Sequence, residues 1–249
     1  VAEIQFAGFA YPAYDQLVSH AARMRNRSRG QFTVPLVVRM PYGGGIGALE
    51  HHSESMEAIF AHVPGLKVVI PADPYDAKGL LVAAVRDPDP VIFMEPARVY
   101  RAIKMEVPED LYVIPIGKAR VVRPGSDVTL VAWGAQLRVA REAAERLAAD
   151  KKADVEVVDV RTIAPCDYET IVESAKRTGR AVVVHEAPRT GGFGAEISAQ
   201  ITERAILHLQ APVLRVTGFD TMPPLAKLEG YYQPGVDDVI KAVMDVMAF

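Results

Sequence analysis

The residues best suited to chemistry are gathered in one stretch, "PYGGGIGALEHHSES", residues 41–55. His51 and His52 are adjacent, and a histidine at the start of a helix beside a flexible loop suits proton transfer. Gly43, Gly44, Gly45 and Gly47 place mobile backbone directly before them. A loop of this kind between a strand and a helix can turn its N–H groups toward an anion. It is neither a dinucleotide fingerprint nor a Walker loop, because Gly45-Ile46-Gly47 is followed by Ala48-Leu49-Glu50, with no third glycine and no Gly-Lys-Ser/Thr. A turn that needs positive φ angles explains the glycines equally well. His51, His52, Glu54 and Glu57 lack the HExxH spacing of a zinc site. Spacing alone therefore leaves two readings of the histidines, proton transfer or a structural role satisfied by local hydrogen bonds.

The remaining histidines read as structural. His62 and His185 adjoin apolar runs and are expected to pack in the core, while His20 and His208 fall in helical segments. "RTGGFGAE" (189–196) is a second glycine loop, read as a tight turn capping a helix, and the Tyr, Phe and Met stripes read as core. The chain has 249 residues, half of them hydrophobic, a formal net charge of −3 and one cysteine, Cys166. That length allows one large or two ordinary domains with a sizeable core. The charge gives no basis for nucleic-acid binding. A single cysteine excludes an intrachain disulfide and suits a reducing compartment. No apolar run is long enough to span a membrane. The opening "VAEIQF" reads as the middle of a strand, so a further N-terminal part is expected.

These groups must be positioned by alternating strands and helices. Strand-like runs at 1–6, 34–40, 66–71 and 90–96 alternate with helical patterns at 12–27, 55–63 and 73–87, with Ser53 or Ser55 as a cap for the second helix. Residues 97–125 break the rhythm and read as a linker with one or two short strands. A second series follows, with strands at 127–134, 155–161, 181–187 and 212–220 and helices at 135–150, 167–179, 194–209 and 236–249. This alternation predicts an α/β protein of two domains, each built on a parallel sheet.

Several long motifs occur in order from end to end: "EIQFAGFAYPAYDQLVSHAARMR", "HHSESMEAIFAHVPGLKVVIPADPYDAKGLL", "DPDPVIFMEP", "PIGKA", "GSDVTLVAWG", "VVDVRTIAPCD", "TGRAVVVHEAPRTGGFGAEI" and "APVLRVTGFDT". Together they resemble the β subunit of the thiamine-dependent 2-oxoacid dehydrogenases. Within that family "LVAWG", "HEAPRTGGF" and "GFDT" look most like the branched-chain (3-methyl-2-oxobutanoate) enzyme, with the pyruvate enzyme as runner-up. The resemblance implies a partial thiamine pyrimidine-binding domain at 1–118 and a transketolase C-terminal-like domain at 119–249. It implies an α2β2 heterotetramer in which the α subunit binds the diphosphate and magnesium, and the β subunit binds the aminopyrimidine of thiamine diphosphate. It further implies oxidative decarboxylation of a 2-oxoacid with acyl transfer to the lipoyl group of a dihydrolipoyl acyltransferase. The location expected is cytoplasmic in a bacterium and the mitochondrial matrix in a eukaryote.

Site residues carry over from the resemblance position by position. Phe9 matches the aromatic residue that stacks on the aminopyrimidine, and His52, in "His-Ser-Glu-Ser", matches the catalytic histidine. Glu54 replaces a glutamine and adds negative charge near His52. The glutamate that bonds pyrimidine N1′ would lie upstream of Val1. Some relatives hold potassium through backbone carbonyls at positions matching Val34, Leu36, Val37, Ala84, Asp87 and Asp89. The terminal Phe249 matches a residue whose carboxylate helps dock the acyltransferase, after a helix in which Val239, Ile240, Val243 and Val246 can face the core. The alternatives are a transketolase-like or deoxyxylulose-phosphate synthase-like enzyme and a non-catalytic assembly module.

Overall fold

The computed structural model describes residues 1–249. Its first half contains β1 (Ala2–Glu3), α1 (Tyr11–Ser19), α2 (Met24–Arg27), β2 (Val37–Tyr42), α3 (Glu57–Ala61), β3 (Lys67–Val69), α4 (Pro74–Arg86) and β4 (Val91–Pro96). The second half contains β5 (Arg120–Arg123), β6 (Val128–Ala132), α5 (Ala135–Ala149), β7 (Val155–Asp159), β8 (Thr162–Ala164), α6 (Tyr168–Thr178), β9 (Ala181–Pro188), α7 (Gly194–Ala205), β10 (Leu214–Gly218), α8 (Glu229–Tyr232) and α9 (Val236–Met247). Two five-stranded sheets result, ordered β1-β2-β4-β3-β8 and β10-β9-β6-β7-β5. All neighbours run parallel except β8 against β3 and β5 against β7.

The long helices follow their local chemistry. Asp73 caps α4 by accepting from the Asp76 N–H, with Pro74 in the first turn. Asp167 caps α6 through the Thr170 N–H, and Gly179, in the left-handed region, ends it. β4, β6 and β9 lie inside their sheets and are buried almost throughout, so they are mainly apolar, with Glu95, Thr129, His185 and Glu186 as the buried polar exceptions.

Several expectations are corrected. The 12–27 pattern is not one helix: it breaks after Ser19 into a 3₁₀ turn at Ala21–Arg23 and the short α2. The 1–6 strand shrinks to two residues. Neither Ser53 nor Ser55 caps α3, whose flanking residue is Met56, and Ser53 Oγ instead donates to the Leu49 carbonyl at 3.1 Å. The 155–161 run ends at Asp159, and the chain then crosses over so that β8 adds to the first sheet. The 194–209 helix ends at Ala205 in a 3₁₀ turn. The second glycine loop provides no side-chain cap for α7, and Gly192 and Gly194 are needed because a Cβ at either would strike the His185 ring.

The crossover to β8 brings a buried ionic cluster between the two halves. Arg161, in the left-handed region at φ 59°, donates through Nε and Nη2 to the two oxygens of Asp76 at 2.8 and 2.6 Å. Arg120 reaches Asp73 at 3.2 Å and Asp76 at 3.7 Å. Asp159 lies 3.9 Å from the Arg161 guanidinium, and its Oδ2 is buried without a partner. Burial and the neighbouring Asp76 carboxylate push the Asp159 carboxyl upward.

Candidate active site

β2 and β4 run in register to Tyr42 and Pro96, so the glycine loop leaves the carboxyl edge of the first sheet. Gly43, Gly45 and Gly47 all adopt positive φ, which accounts for the glycine content through the turn. Close packing adds to it: a side chain on Gly43 would strike the Glu186 carboxylate, and one on Gly45 would strike Arg98. The loop does cradle an anion, and that anion belongs to the chain itself. Glu229 at the start of α8 accepts from the N–H groups of Gly45 and Gly47, the latter at 2.9 Å.

The loop delivers the chain into a 3₁₀ turn, Glu50–His52, held by the His52 N–H on the Leu49 carbonyl at 3.0 Å. This turn presents His52 to two aromatic edges. Its ring centroid lies 4.8 Å from that of Phe6 and 5.3 Å from that of Phe9, while His51 lies 4.8 Å from Phe9. His52 Nδ1 is buried with no partner. A proton exchanged with a reactant would therefore pass through Nε2. Phe9 is 45% exposed and leaves ring surface free beside His52, a surface on which a flat heteroaromatic ring can lie. The structure thus brings Phe9 and His52, 43 positions apart in the chain, into one site.

Two residues that frame this site escaped the sequence reading. Gly8 allows the aromatic segment to lie on the histidine turn, because a Cβ there would strike the His51 carbonyl and come within 3.0 Å of Glu54 Oε2. Tyr11 donates its hydroxyl to Glu54 Oε2 at 3.0 Å, and burial followed by this contact raises its pKa. The Glu54 charge is thus directed to Tyr11. Glu57 points elsewhere, fully buried, and accepts from Trp133 Nε1 at 3.1 Å. The set His51, His52, Glu54 and Glu57 does not converge, and no three acidic, histidine or cysteine side chains of the chain are grouped to hold a metal. His62 is exposed at the end of α3, against the core expectation, whereas His185 is buried and stacked on Trp133 at 5.2 Å. Burial lowers the His185 pKa to about 4, which keeps it neutral. The aromatic stripes divide: Tyr42, Phe60 and Phe93 are core, but Tyr11, Tyr100, Phe219 and Tyr231 are exposed.

Glu186 lies behind the glycine loop, 5% exposed, with Oε2 unpartnered. Burial first, and then the Glu57 carboxylate, raise its pKa to about 8. Arg98 and a hydrogen bond with Ser55 oppose the rise, and Glu229 adds to it. The folded state therefore binds this proton more tightly than the unfolded chain, whose value is near the ordinary 4.5. Its contribution to stability is lost as pH rises from about 4.5 to about 8. Glu186→Gln should flatten that slope, so its midpoint relative to the parent improves steadily across this range. A difference that stays constant across the range in pH-dependent thermal denaturation would count against the shift.

The six residues expected around potassium are neighbours. The Val34 N–H bonds the Pro88 carbonyl, the Val91 N–H bonds that of Leu36, Val37 pairs with Val91, and the Asp87 N–H bonds the Ala84 carbonyl. The two carboxylates are already paired, Asp87 with Lys67 at 2.6 Å and Asp89 with Arg25 at 2.5 Å. At the C-terminus, Val239, Val243 and Val246 are buried, Ile240 is half-buried, and Arg180 Nε donates to the Val246 carbonyl at 3.0 Å. Phe249 follows this anchored turn and is 76% exposed.

Comparison with known proteins bears on the whole chain. Residues 1–102 match the transketolase pyrimidine-binding domain and residues 117–239 the transketolase C-terminal domain. The chain is 57% identical over 234 residues to the pyruvate dehydrogenase E1 component subunit beta of Acholeplasma laidlawii, covering 94% of this chain and 71% of that protein. The chain belongs to the β subunits of the thiamine-dependent 2-oxoacid dehydrogenases. It is also 52% identical over 235 residues to the mitochondrial 2-oxoisovalerate dehydrogenase subunit beta of Dictyostelium discoideum, spanning 94% of this chain and 63% of that protein. A split-gene transketolase, solved as an inactive β4 tetramer, superposes with a TM-score of 0.80 at 25% identity, over 99% of this chain and 75% of that one. The family fold agrees with the two α/β sheets, and thiamine diphosphate is the family's cofactor. No helix is long and apolar enough to cross a membrane.

Proposed function

We propose that this β subunit works with an α subunit in oxidative decarboxylation of a branched-chain 2-oxoacid, 3-methyl-2-oxobutanoate, and transfer of the acyl group to a lipoyl domain. Phe9 offers a face to the aminopyrimidine of thiamine diphosphate, and His52 moves the proton during acyl transfer. The meeting of His52 and the exposed Phe9 ring at 5.3 Å carries this reading. Bound thiamine diphosphate would supply the carbon centre that attacks the 2-oxoacid.

The surroundings fit a site completed by another chain. Leu49, Met222, Leu225 and Tyr231, large apolar residues of both halves near the loop and the cleft beside it, are 58%, 79%, 61% and 82% exposed. Large exposed apolar patches commonly mark protein interfaces. We place the α subunit over this face in an α2β2 assembly, with magnesium on the α side. The domain division lies at 118/119, in the link between β4 and β5. The carbonyls near Leu36 and Ala84 are the candidates for potassium, and the exposed Phe249 carboxylate for contact with the acyltransferase. The location is the cytoplasm in a bacterium or the mitochondrial matrix in a eukaryote.

The segments "LVAWG", "HEAPRTGGF" and "GFDT", together with the 52% identity to a 2-oxoisovalerate dehydrogenase subunit, favour a branched acyl chain. Pyruvate is the second reading, favoured by the 57% identity to a pyruvate dehydrogenase subunit. The full-length subunit, assembled with its α partner, should reduce an artificial electron acceptor faster with 3-methyl-2-oxobutanoate than with pyruvate. A clear preference for pyruvate would replace the substrate assignment.

A further inference from the structure

The glycine loop is held from the other half of the molecule by a single carboxylate. Glu229 accepts from Gly45 N–H and, at 2.9 Å, from Gly47 N–H, residues more than 180 positions away in sequence. Backbone N–H groups turned to one point form an anion-binding concavity. A carboxylate inside it makes charge-assisted bonds, shorter and stronger than neutral ones. The fit is close on every side. A Cβ on Gly44 would lie 3.0 Å from Glu229 Oε1 and would strike the Gln233 amide. Gln233 is itself set by its N–H on the Glu229 carbonyl at 3.1 Å and by Arg98 Nη1 on its side-chain oxygen at 3.0 Å. Beyond the cradle the chain has only Ala48 and Leu49 before the turn carrying His51 and His52, and the Gly43 N–H ties the loop to the Glu54 carbonyl at 3.0 Å.

We infer that Glu229 is a positioning residue: it fills the glycine cradle as a built-in anion and so fixes the loop that aims His52. The inference rests on the role proposed for His52. A loop with three glycines at positive φ has little stiffness of its own, because each glycine has wide conformational freedom. Displacement of a reacting group by about 1 Å costs about 100-fold in rate. Glu229 also occupies the N–H groups that an external diphosphate or carboxylate would need, which leaves the cradle structural while the residue is in place.

The test uses the α2β2 assembly carrying Glu229→Ala and Glu229→Gln. Acyl transfer to lipoate should fall about 10-fold or more in Glu229→Ala, with less loss in Glu229→Gln, whose amide oxygen can still accept one N–H. Amide hydrogen exchange should accelerate across residues 43–49 and remain as in the parent in α5 and α9. Added formate, compared with chloride at equal ionic strength, should enter the vacated cradle, slow this exchange and recover part of the rate in Glu229→Ala only. Unchanged exchange in the loop, or faster exchange that formate does not reverse, would overturn the inference. The exchange measurement is independent of the chemistry of His52. Failure of the His52 assignment would therefore appear as altered exchange without a loss of rate.

Discussion

His52→Ala is expected to lower acyl transfer to a lipoyl acceptor by about 100-fold or more while α/β assembly survives, in the range usual for loss of an acid–base group. His52 touches Phe6 and Phe9 by ring edges and has no hydrogen bond through its buried Nδ1, so the fold gains little from the imidazole beyond packing. The 3₁₀ turn that carries it is held by backbone bonds and by Ser53, which the substitution leaves intact. His51→Ala should have a milder effect, since that exposed ring packs on Phe9 but stands one residue from the proposed path of the proton. Single-turnover transfer to a lipoyl domain and sizing of the assembly measure both terms. Parent-like transfer in His52→Ala would assign the residue a structural role.

Asp76→Ala should destabilise the protein by about 3–5 kcal/mol, the usual cost of removing one partner of a buried ion pair. Asp76 is fully buried and receives both donors of Arg161, itself 8% exposed. Without Asp76 the guanidinium keeps only Asp159, at 3.9 Å, and the second contact of Arg120 is lost. Because Asp76 lies on α4 and Arg161 follows β7, the damage should fall on the junction between the halves. Replacing both residues by leucine should restore part of the loss, since the Arg161 guanidinium is no longer stranded, while the buried Asp159 loses its nearest cation. Urea denaturation of the single and double variants reads this directly. A loss below about 1 kcal/mol in the single variant, the scale of a surface ion pair, would place the junction's strength elsewhere.

Much of the architecture was legible because it depends on short-range chemistry. Alternation of apolar strands with capped helices is local. It located β4, β6, β9, α4 and α5 within a residue or two and predicted two α/β halves, but not the antiparallel edge strand, β8 or β5, that makes each sheet mixed rather than parallel. The neighbourhood of the proposed site was legible in part: glycines requiring positive φ before paired histidines mark a special turn, and the ordered motifs singled out Phe9 and His52, whose rings the fold brings to 5.3 Å. Errors fell where local preference is weak. Nothing in 155–164 signals that the chain leaves one sheet after Asp159 to lay β8 against β3, because an apolar run reads alike in either sheet. The break in the 12–27 pattern is likewise silent in the periodicity.

What tertiary structure alone decided is which charges meet. Glu229 lies in a segment with mixed apolar and charged residues and carries no signature, yet folding inserts its carboxylate into the cradle of Gly45 and Gly47. Asp76 looks like an ordinary acidic residue in the first turn of a helix, and only the approach of Arg161 makes it half of a buried pair. His62 and His185 adjoin similar apolar runs, but one ends in solvent and the other beneath Trp133. The physical reason is common to all three. Backbone preference and hydrophobic period act over a few residues, so a sequence displays them directly. The partner of a carboxylate or an imidazole is set by contacts between distant segments, and these exist only once both sheets have formed and closed on each other.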